Sequence, residues 1–374
     1  MSSLSKGAVA VVTAFTLTAA TTAAASAAPK QDTVQRELDT LVGADFPGAL
    51  ASAQGRDGKV RNYVAGVGDL KTGAKVPVDG RVRIGSNTKP YVAVVVMQLV
   101  GESRIDLDAT VETYLPGLIR RNGNDGRKIT VRQLLNHTSG LPNYTRWIKP
   151  ITELRDVYLS PRDLLDLGLS HKRAFAPGEK WEYSNTGYVV LGLLVEKVTG
   201  RPIHEEVTNR IIKPLGLHDT YWPGLGERGI RGRHPRGYHF AKPGADPIDV
   251  TSLDPSWGWA AGQLIATPSD LNRFYRALLD GALVKPAQLT EMKKTVKPEG
   301  FVPGWTYGLG IVKIPLSCGG TAWGHGGDID GYETRNGATE DGRAVTLAVT
   351  ALPTSEKAVM RPIEALDRTI CAQN

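Results

Sequence analysis

The chain has 374 residues, 41% hydrophobic and 22% charged, with a formal net charge of +7. That balance excludes a disordered or fibrous chain, and the length suits one large domain or two packed lobes. The positive charge gathers at Arg120 to Lys128 and at Arg228 to Arg236. Both are Gly-containing stretches without interleaved aromatics, which argues against nucleic acid and for a solvated basic face.

Lys6, the apolar run Ala8 to Ala20 and the small residues Ala25-Ser26-Ala27 have the layout of an export signal, with cleavage expected after Ala27 or Ala28. The apolar run is short and rich in Ala and Thr, so it is a poor membrane anchor, and no later stretch is long enough to span a bilayer. The protein is therefore expected to be secreted, with no stable membrane anchor. Cys318 and Cys371 are its two cysteines, and an even count in an exported chain favours a disulfide. No His/Cys cluster has metal-ligand spacing, so no metal or other cofactor is expected.

In chain order, Thr33 to Val42 reads as a short helix. Ala49 to Asp79 reads as a strand meander with turns at Gly55-Arg56-Asp57-Gly58 and Asp69-Leu70-Lys71-Thr72-Gly73. Next comes Ile84-Gly85-Ser86-Asn87-Thr88-Lys89-Pro90, followed by the apolar run Tyr91 to Val100. Pro90 belongs in the first turn of a helix, and Gly101 would cap its end. The valines leave a strand open, but the length of the run favours a buried helix. On that helix Ser86 and Lys89 share a face one turn apart. A serine becomes a nucleophile when a neighbouring base takes its proton, and a lysine held in an apolar pocket can be that base. An N-cap serine beside a surface lysine is the plain alternative.

Thr130-Val131-Arg132-Gln133 is a capping box for a helix ending near Asn136, and His137 follows, read as a loop-bracing histidine in preference to a catalytic base. Tyr183-Ser184-Asn185 precedes a second buried helix that stops at Gly200-Arg201-Pro202. A tyrosine there, near a lysine, can be driven towards phenolate and act as a base, although a helix cap would explain the triplet alone. Trp257 to Gln263 is expected as an aromatic loop walling a pocket, and Thr267-Pro268-Ser269-Asp270 as the start of a helix running to Gly281. Strands are expected over Tyr307–Ile314, Thr321–His325 and Arg343–Leu352, then a helix over Ser355–Ile370 with Pro362 as a kink.

Ser86-Asn87-Thr88-Lys89, Tyr183-Ser184-Asn185 and His325-Gly326-Gly327 resemble, in order and rough spacing, the S-x-x-K, Y-x-N and K/H-x-G motifs of serine penicillin-recognising hydrolases. That family holds class C β-lactamases, secreted D-alanyl-D-alanine carboxypeptidases, D-amino-acid peptidases and related esterases. Similarity extends to His137–Pro142, Phe175–Glu179 and Trp259–Asp270, and the C-terminal cysteine pair resembles that of actinobacterial-type DD-carboxypeptidases. The resemblance implies an α/β chain of the α+β type, with a mostly antiparallel sheet built from both chain ends (about 29–100 and 300–374). Helices would flank that sheet, and an inserted helical lobe (about 101–299) would complete a hydrolase domain over 29–374.

It further implies Ser86 as nucleophile, Lys89 and Tyr183 sharing proton transfer, and Asn185 holding the substrate amide. His325 would be a positive or hydrogen-bonding partner on a strand with Gly326, Gly327 and Asp328, and Trp259 a pocket wall. The backbone N–H groups of Ser86 and Asp328 would form the oxyanion hole. The implied substrate is a peptidoglycan stem peptide or a β-lactam, met by a monomer. D-Alanyl-D-alanine carboxypeptidase activity is the main expectation, β-lactamase or D-amino-acid peptidase/esterase activity an alternative, and a non-turnover penicillin-binding module another. The motif departs from the family at Gly326, which offers no hydroxyl for a terminal carboxylate, and at Asp328, which adds a negative charge. Lys313 is the cation expected nearby, with strand alternation pointing it outward. Esters, amides or β-lactams are therefore expected to be preferred over free-carboxylate peptides.

Overall fold

The computed structural model describes residues 1–2 and 32–373. Apart from its first two residues, the expected export signal lies outside them. From residue 32 onward, α1 (Thr33–Ala44) leads into β1 (Gly48–Gln54), β2 (Val60–Asp69) and β3 (Ala74–Lys75). The C-terminal part supplies β4 (Thr306–Tyr307), β5 (Val312–Pro315), β6 (Thr321–Gly324), β7 (Gly326–Ile329), β8 (Tyr332–Thr339) and β9 (Ala344–Val349). They form one nine-stranded sheet in the order β3-β2-β1-β9-β8-β6-β5-β4, and β7 also pairs with β8. Every pairing is antiparallel. The fold is thus α+β, with the sheet built from both chain ends.

Strand alternation sorts the two faces. Ala49, Ala51 and Ala53 of β1 pack with Leu38 of α1 and Leu366 and Ile370 of the C-terminal helix, whereas Leu50 joins the helical core on the other face. That core holds α2 (Thr88–Gly101), α3 (Asn185–Thr199) and α4 (Pro268–Leu279), and α5 (Glu356–Cys371) closes the chain. The apolar run after Ser86 is helical and buried on all sides from Thr88 to Met97. Burial on every face explains why it carries no amphipathic pattern.

Several boundaries differ from expectation for local reasons. Gly101 is the last helical residue of α2, and the left-handed conformation that ends the helix falls on Ser103 (φ 59°). The strand expected over Tyr307–Ile314 is two strands, because Gly308 to Gly310 form a turn in which Gly310 has φ 76°. Trp257 to Gln263 is helical, a 3-10 turn at Pro255–Trp257 followed by Trp259–Gly262. The capping box at Thr130 and Gln133 is present, and α5 runs through the buried Pro362. Strand β8 was not foreseen: its sequence YETRNGAT is polar, yet every residue is buried. Cys318 and Cys371 are bridged, tying α5 to the segment after β5.

Candidate active site

Ser86 lies in a 3-10 turn, Gly85–Asn87, that runs into α2. Gly85 has φ 48°, and a Cβ there would sit 2.8 Å from the Asp328 carbonyl oxygen. A Cβ on Gly327 would lie 2.0 Å from the Ile84 carbonyl oxygen. Both glycines are therefore required for the nucleophile turn to press backbone to backbone against β7. Asn87 locks the turn from behind. Its amide donates to Thr334 Oγ1 (2.8 Å), and its carbonyl accepts from Asn336 Nδ2 (2.6 Å) and the Tyr275 hydroxyl (2.9 Å). The unforeseen strand β8 thus holds the serine turn in place.

Lys89 is completely buried, one helical turn on from Ser86. Its Nζ stands 2.9 Å from Ser86 Oγ, 2.7 Å from Asn185 Oδ1 and 2.8 Å from the Ala261 carbonyl oxygen. Burial holds the ammonium pKa well below its ordinary value, only partly opposed by the more distant Asp328. A neutral amine has two N–H bonds and one lone pair. Asn185 Oδ1 and the Ala261 carbonyl can only accept, so the two N–H bonds go to them. The lone pair is left facing Ser86 Oγ.

Tyr183 ends the loop that enters α3, and it lines the same cavity as Ser86. Burial pushes this phenol well above its ordinary pKa, and the Ser86 hydroxyl offsets only part of that. Lys89 Nζ lies 4.8 Å from the centre of the Tyr183 ring. Burial disfavours both charged forms, which favours the phenol over the expected phenolate and makes the neutral amine of Lys89 more accessible. Asn185, besides meeting Lys89, donates to Asn143 Oδ1 (3.3 Å) and Thr145 Oγ1 (3.3 Å).

His325 lies between β6 and β7, which both pair with β8, and its backbone N–H donates to Asn336 Oδ1 (3.0 Å). Its ring is not a cation. Burial, with Lys89 in its ammonium form adding to it, lowers the pKa to about 3. The expected positive partner is therefore a neutral imidazole. The cation of this site is Arg335 of β8, which sequence reasoning missed. Arg335 Nη1 donates to Asp328 Oδ1 (2.7 Å), and Nη2 stands 2.9 Å from Glu333 Oε1. Asp328 is 57% exposed, whereas Glu333 is fully buried, which raises the Glu333 pKa to about 8. Lys313 is exposed on β5 and lines a different surface groove. Strand alternation could have flagged Arg335 only if β8 had been recognised.

Two cavities meet at Ser86 and Asp328. One, of about 210 Å³, is walled by Phe301, Val302, Trp305, Val312 and Ile363, with Tyr183, His325, Gly326 and Arg335 at its polar end. The other, about 40 Å³, is lined by Tyr144, Thr145, Asn185, Trp257 and Ala261. Trp259 lines neither. It takes φ 33°, and its ring lies where a side chain on Gly192 of α3 would be, so it packs the helical core; Trp257 and Trp305 are the tryptophans that line the two cavities. His137 does brace a loop: its Nδ1 accepts from the Ser184 amide (3.2 Å).

A serine at a helix start, a buried lysine one turn on and a phenol on the facing loop define an acyl-transfer site of the serine penicillin-recognising type. The family model described as Beta-lactamase matches residues 34–369, and the chain belongs to that family. Among solved structures, it is 40% identical to a D-stereospecific amidohydrolase from Streptomyces sp., with TM-score 0.82 over 89% of this chain and 97% of the other. It is 29% identical to D-amino acid amidase from Ochrobactrum anthropi SV3, with TM-score 0.79 over 91% and 97% of the two chains. Penicillin-binding protein 4 of Amycolatopsis lactamdurans is 29% identical over 79% of this chain and 74% of its own. For penicillin-binding protein 4* of Bacillus subtilis the match is 27% identical and spans 64% of that protein.

Proposed function

We propose that this serine hydrolase cleaves amides of D-amino acids bearing an apolar side chain, through an acyl-enzyme on Ser86. The observation that carries the substrate reading is the Asp328 carboxylate, more than half exposed on the wall where both cavities meet. It can accept a substrate α-ammonium and would repel a substrate carboxylate. The apolar cavity is large enough for an aromatic or branched side chain, and the small one suits a compact amide leaving group. The similarity to the two D-specific amidases supports the D configuration.

In this reading the Ser86 hydroxyl proton passes to the Lys89 lone pair as Oγ attacks the amide carbon. The oxyanion is taken by the N–H groups of Ser86 and Asp328, each contributing about 3 kcal/mol in comparable sites. Tyr183 gives its proton to the departing nitrogen and regains one from Lys89. Water then repeats the sequence on the ester. Export and a cell-wall or extracellular location belong to the same reading, supported by the Cys318–Cys371 bridge.

The test is kcat/KM for D-phenylalanine amide, L-phenylalanine amide and an N-acyl-D-Ala-D-Ala peptide. Preference for the D-amide supports the reading, and preference for the free-acid peptide overturns it. DD-carboxypeptidase action with β-lactam acylation is the second reading, favoured by the Arg335 guanidinium in the cavity wall and the penicillin-binding relatives.

A further inference from the structure

His325 Nδ1 stands 2.5 Å from the Gly326 carbonyl oxygen, and its Nε2 stands 2.7 Å from the Tyr307 hydroxyl. The same hydroxyl is 3.1 Å from His137 Nε2, and His137 Nδ1 faces the Ser184 amide at 3.2 Å. These atoms form one continuous line across the cleft, from the strand of the third motif to the loop that presents Tyr183 and Asn185.

The two ends of the line fix its direction independently. The Gly326 carbonyl can only accept, so His325 carries its proton on Nδ1 and its Nε2 accepts from Tyr307. The Ser184 amide can only donate, so His137 Nδ1 is bare and its Nε2 carries the proton that goes to the Tyr307 oxygen. Both inferences give Tyr307 the same role: donor to His325, acceptor from His137. The nearby Tyr188 hydroxyl gives its own proton to the Leu135 carbonyl (3.0 Å), so it adds no donor, and its oxygen is a second acceptor beside Tyr307.

We propose that Tyr307 and His137 are positioning residues, which clamp the Tyr183–Asn185 loop to the His325–Asp328 strand and hold His325 as the neutral Nδ1–H tautomer. The proposal rests on the acyl-transfer reading of Ser86 for its catalytic consequence, but its structural content does not. Protonating His325 would turn its Nε2 into a donor and reverse Tyr307. Turned towards His137, the Tyr307 proton would force the His137 proton onto Nδ1, directly against the Ser184 N–H; turned towards the Tyr188 oxygen, it would leave Tyr307 as acceptor from both rings. The groups around the line act in both senses. Lys89 in its ammonium form lowers both imidazoles and Arg335 lowers His325, whereas the Gly326 carbonyl and Asp328 favour a proton on His325.

Two measurements test this on the full-length protein. Long-range ¹H–¹⁵N spectra of histidine-labelled parent protein should show His325 as the Nδ1–H and His137 as the Nε2–H tautomer, both neutral at pH 7. An imidazolium or the opposite tautomer at either ring overturns the proposal, whatever the enzyme's activity. Tyr307→Phe keeps the ring and removes the relay oxygen. Its kcat should fall about tenfold with KM little changed, as expected for one lost hydrogen bond that orders the catalytic groups. It should also free His325 to titrate, adding an acid limb to the kcat profile above the parent's. A parent-like kcat and pH profile in folded Tyr307→Phe overturns the positioning role. If the variant fails to fold, the tautomers in the parent still decide. If the parent hydrolyses no amide or ester, the functional reading fails while the tautomer result stands on its own.

Discussion

Lys89 Nζ and Ser86 Oγ are 2.9 Å apart, and the two other neighbours of that nitrogen, Asn185 Oδ1 and the Ala261 carbonyl, are acceptors only. Among the described residues no carboxylate touches the amine, so burial dominates its charge and the more distant Asp328 opposes it only in part. The arrangement supports the proposed pairing of a base with its nucleophile, which makes Ser86 the residue to test first. Ser86→Ala should abolish both hydrolysis and covalent labelling by a fluorescent penicillin, with little change in the thermal transition. Peptide mapping that finds the adduct on another residue would refute the assignment.

Lys89 and Tyr183 share Ser86, so their losses should not add. Tyr183→Phe and Lys89→Gln are each expected to slow acylation by about two to four orders of magnitude, and the double variant to be little worse than the poorer single one. Rapid-mixing acylation rates read this directly. A Tyr183→Phe enzyme that acylates at the parent rate would reduce Tyr183 to a helix-entry residue.

The nucleophile segment was legible in the sequence because its constraints are local. Pro90 fixes the helix start, and the unbroken apolar run fixes burial, so Ser86 and Lys89 fall one turn apart without any tertiary information. The cation of the site was not legible. Arg335, Asn336 and Thr334 lie on a buried strand and find their partners in Asn87 and Asp328, and such a polar strand shows no hydrophobic alternation. Trp259 misled for a related reason. An aromatic beside small residues suggests a cleft wall, but the small residue that receives its ring, Gly192, is far away in sequence.

The charge state of the buried groups predicts the pH dependence of stability. His325 has its folded pKa lowered from 6.5 to about 3, so in this range the unfolded chain binds more protons at this site. Its contribution is present above pH 6.5 and is lost as the pH falls towards 3. Glu333 has the opposite sign: raised from 4.5 to about 8, it contributes stability that is lost as the pH rises through 8. Melting temperatures between pH 4.5 and 6.5 should therefore fall less steeply with acid in His325→Asn than in the parent. Glu333→Gln should flatten the alkaline decline up to about pH 8. Unchanged slopes in both variants would mean that neither group is buried in the form described.

The Cys318–Cys371 bridge closes a loop with a sequence separation of 53. In the chain-entropy account that loop is worth about 4 kcal/mol, lost on reduction or in Cys371→Ser. Thiol titration of the unfolded, unreduced protein should find no free thiol, and chemical denaturation should place the Cys371→Ser midpoint well below the parent's. Two reactive thiols in the parent would refute the bridge.

The substrate test turns on Asp328. Its carboxylate and a substrate carboxylate about 6 Å apart would repel by about 3 kcal/mol at an effective dielectric near 20. Arg335, bonded to Asp328 at 2.7 Å, offsets part of this, but its other end is held beside the buried Glu333 at 2.9 Å. A free-acid dipeptide should therefore be cleaved more slowly than its C-terminal amide, by about tenfold where the full repulsion would give about a hundredfold. The same carboxylate should favour a free α-ammonium. Asp328→Asn is then expected to lower kcat/KM for D-phenylalanine amide while leaving the N-acetylated amide nearly unaffected, because only the first carries the charge that Asp328 meets. Equal losses on both substrates would assign Asp328 to the backbone geometry of the oxyanion hole instead. Faster cleavage of the free acid by the parent would show that Arg335, and not Asp328, governs the charge of the cleft.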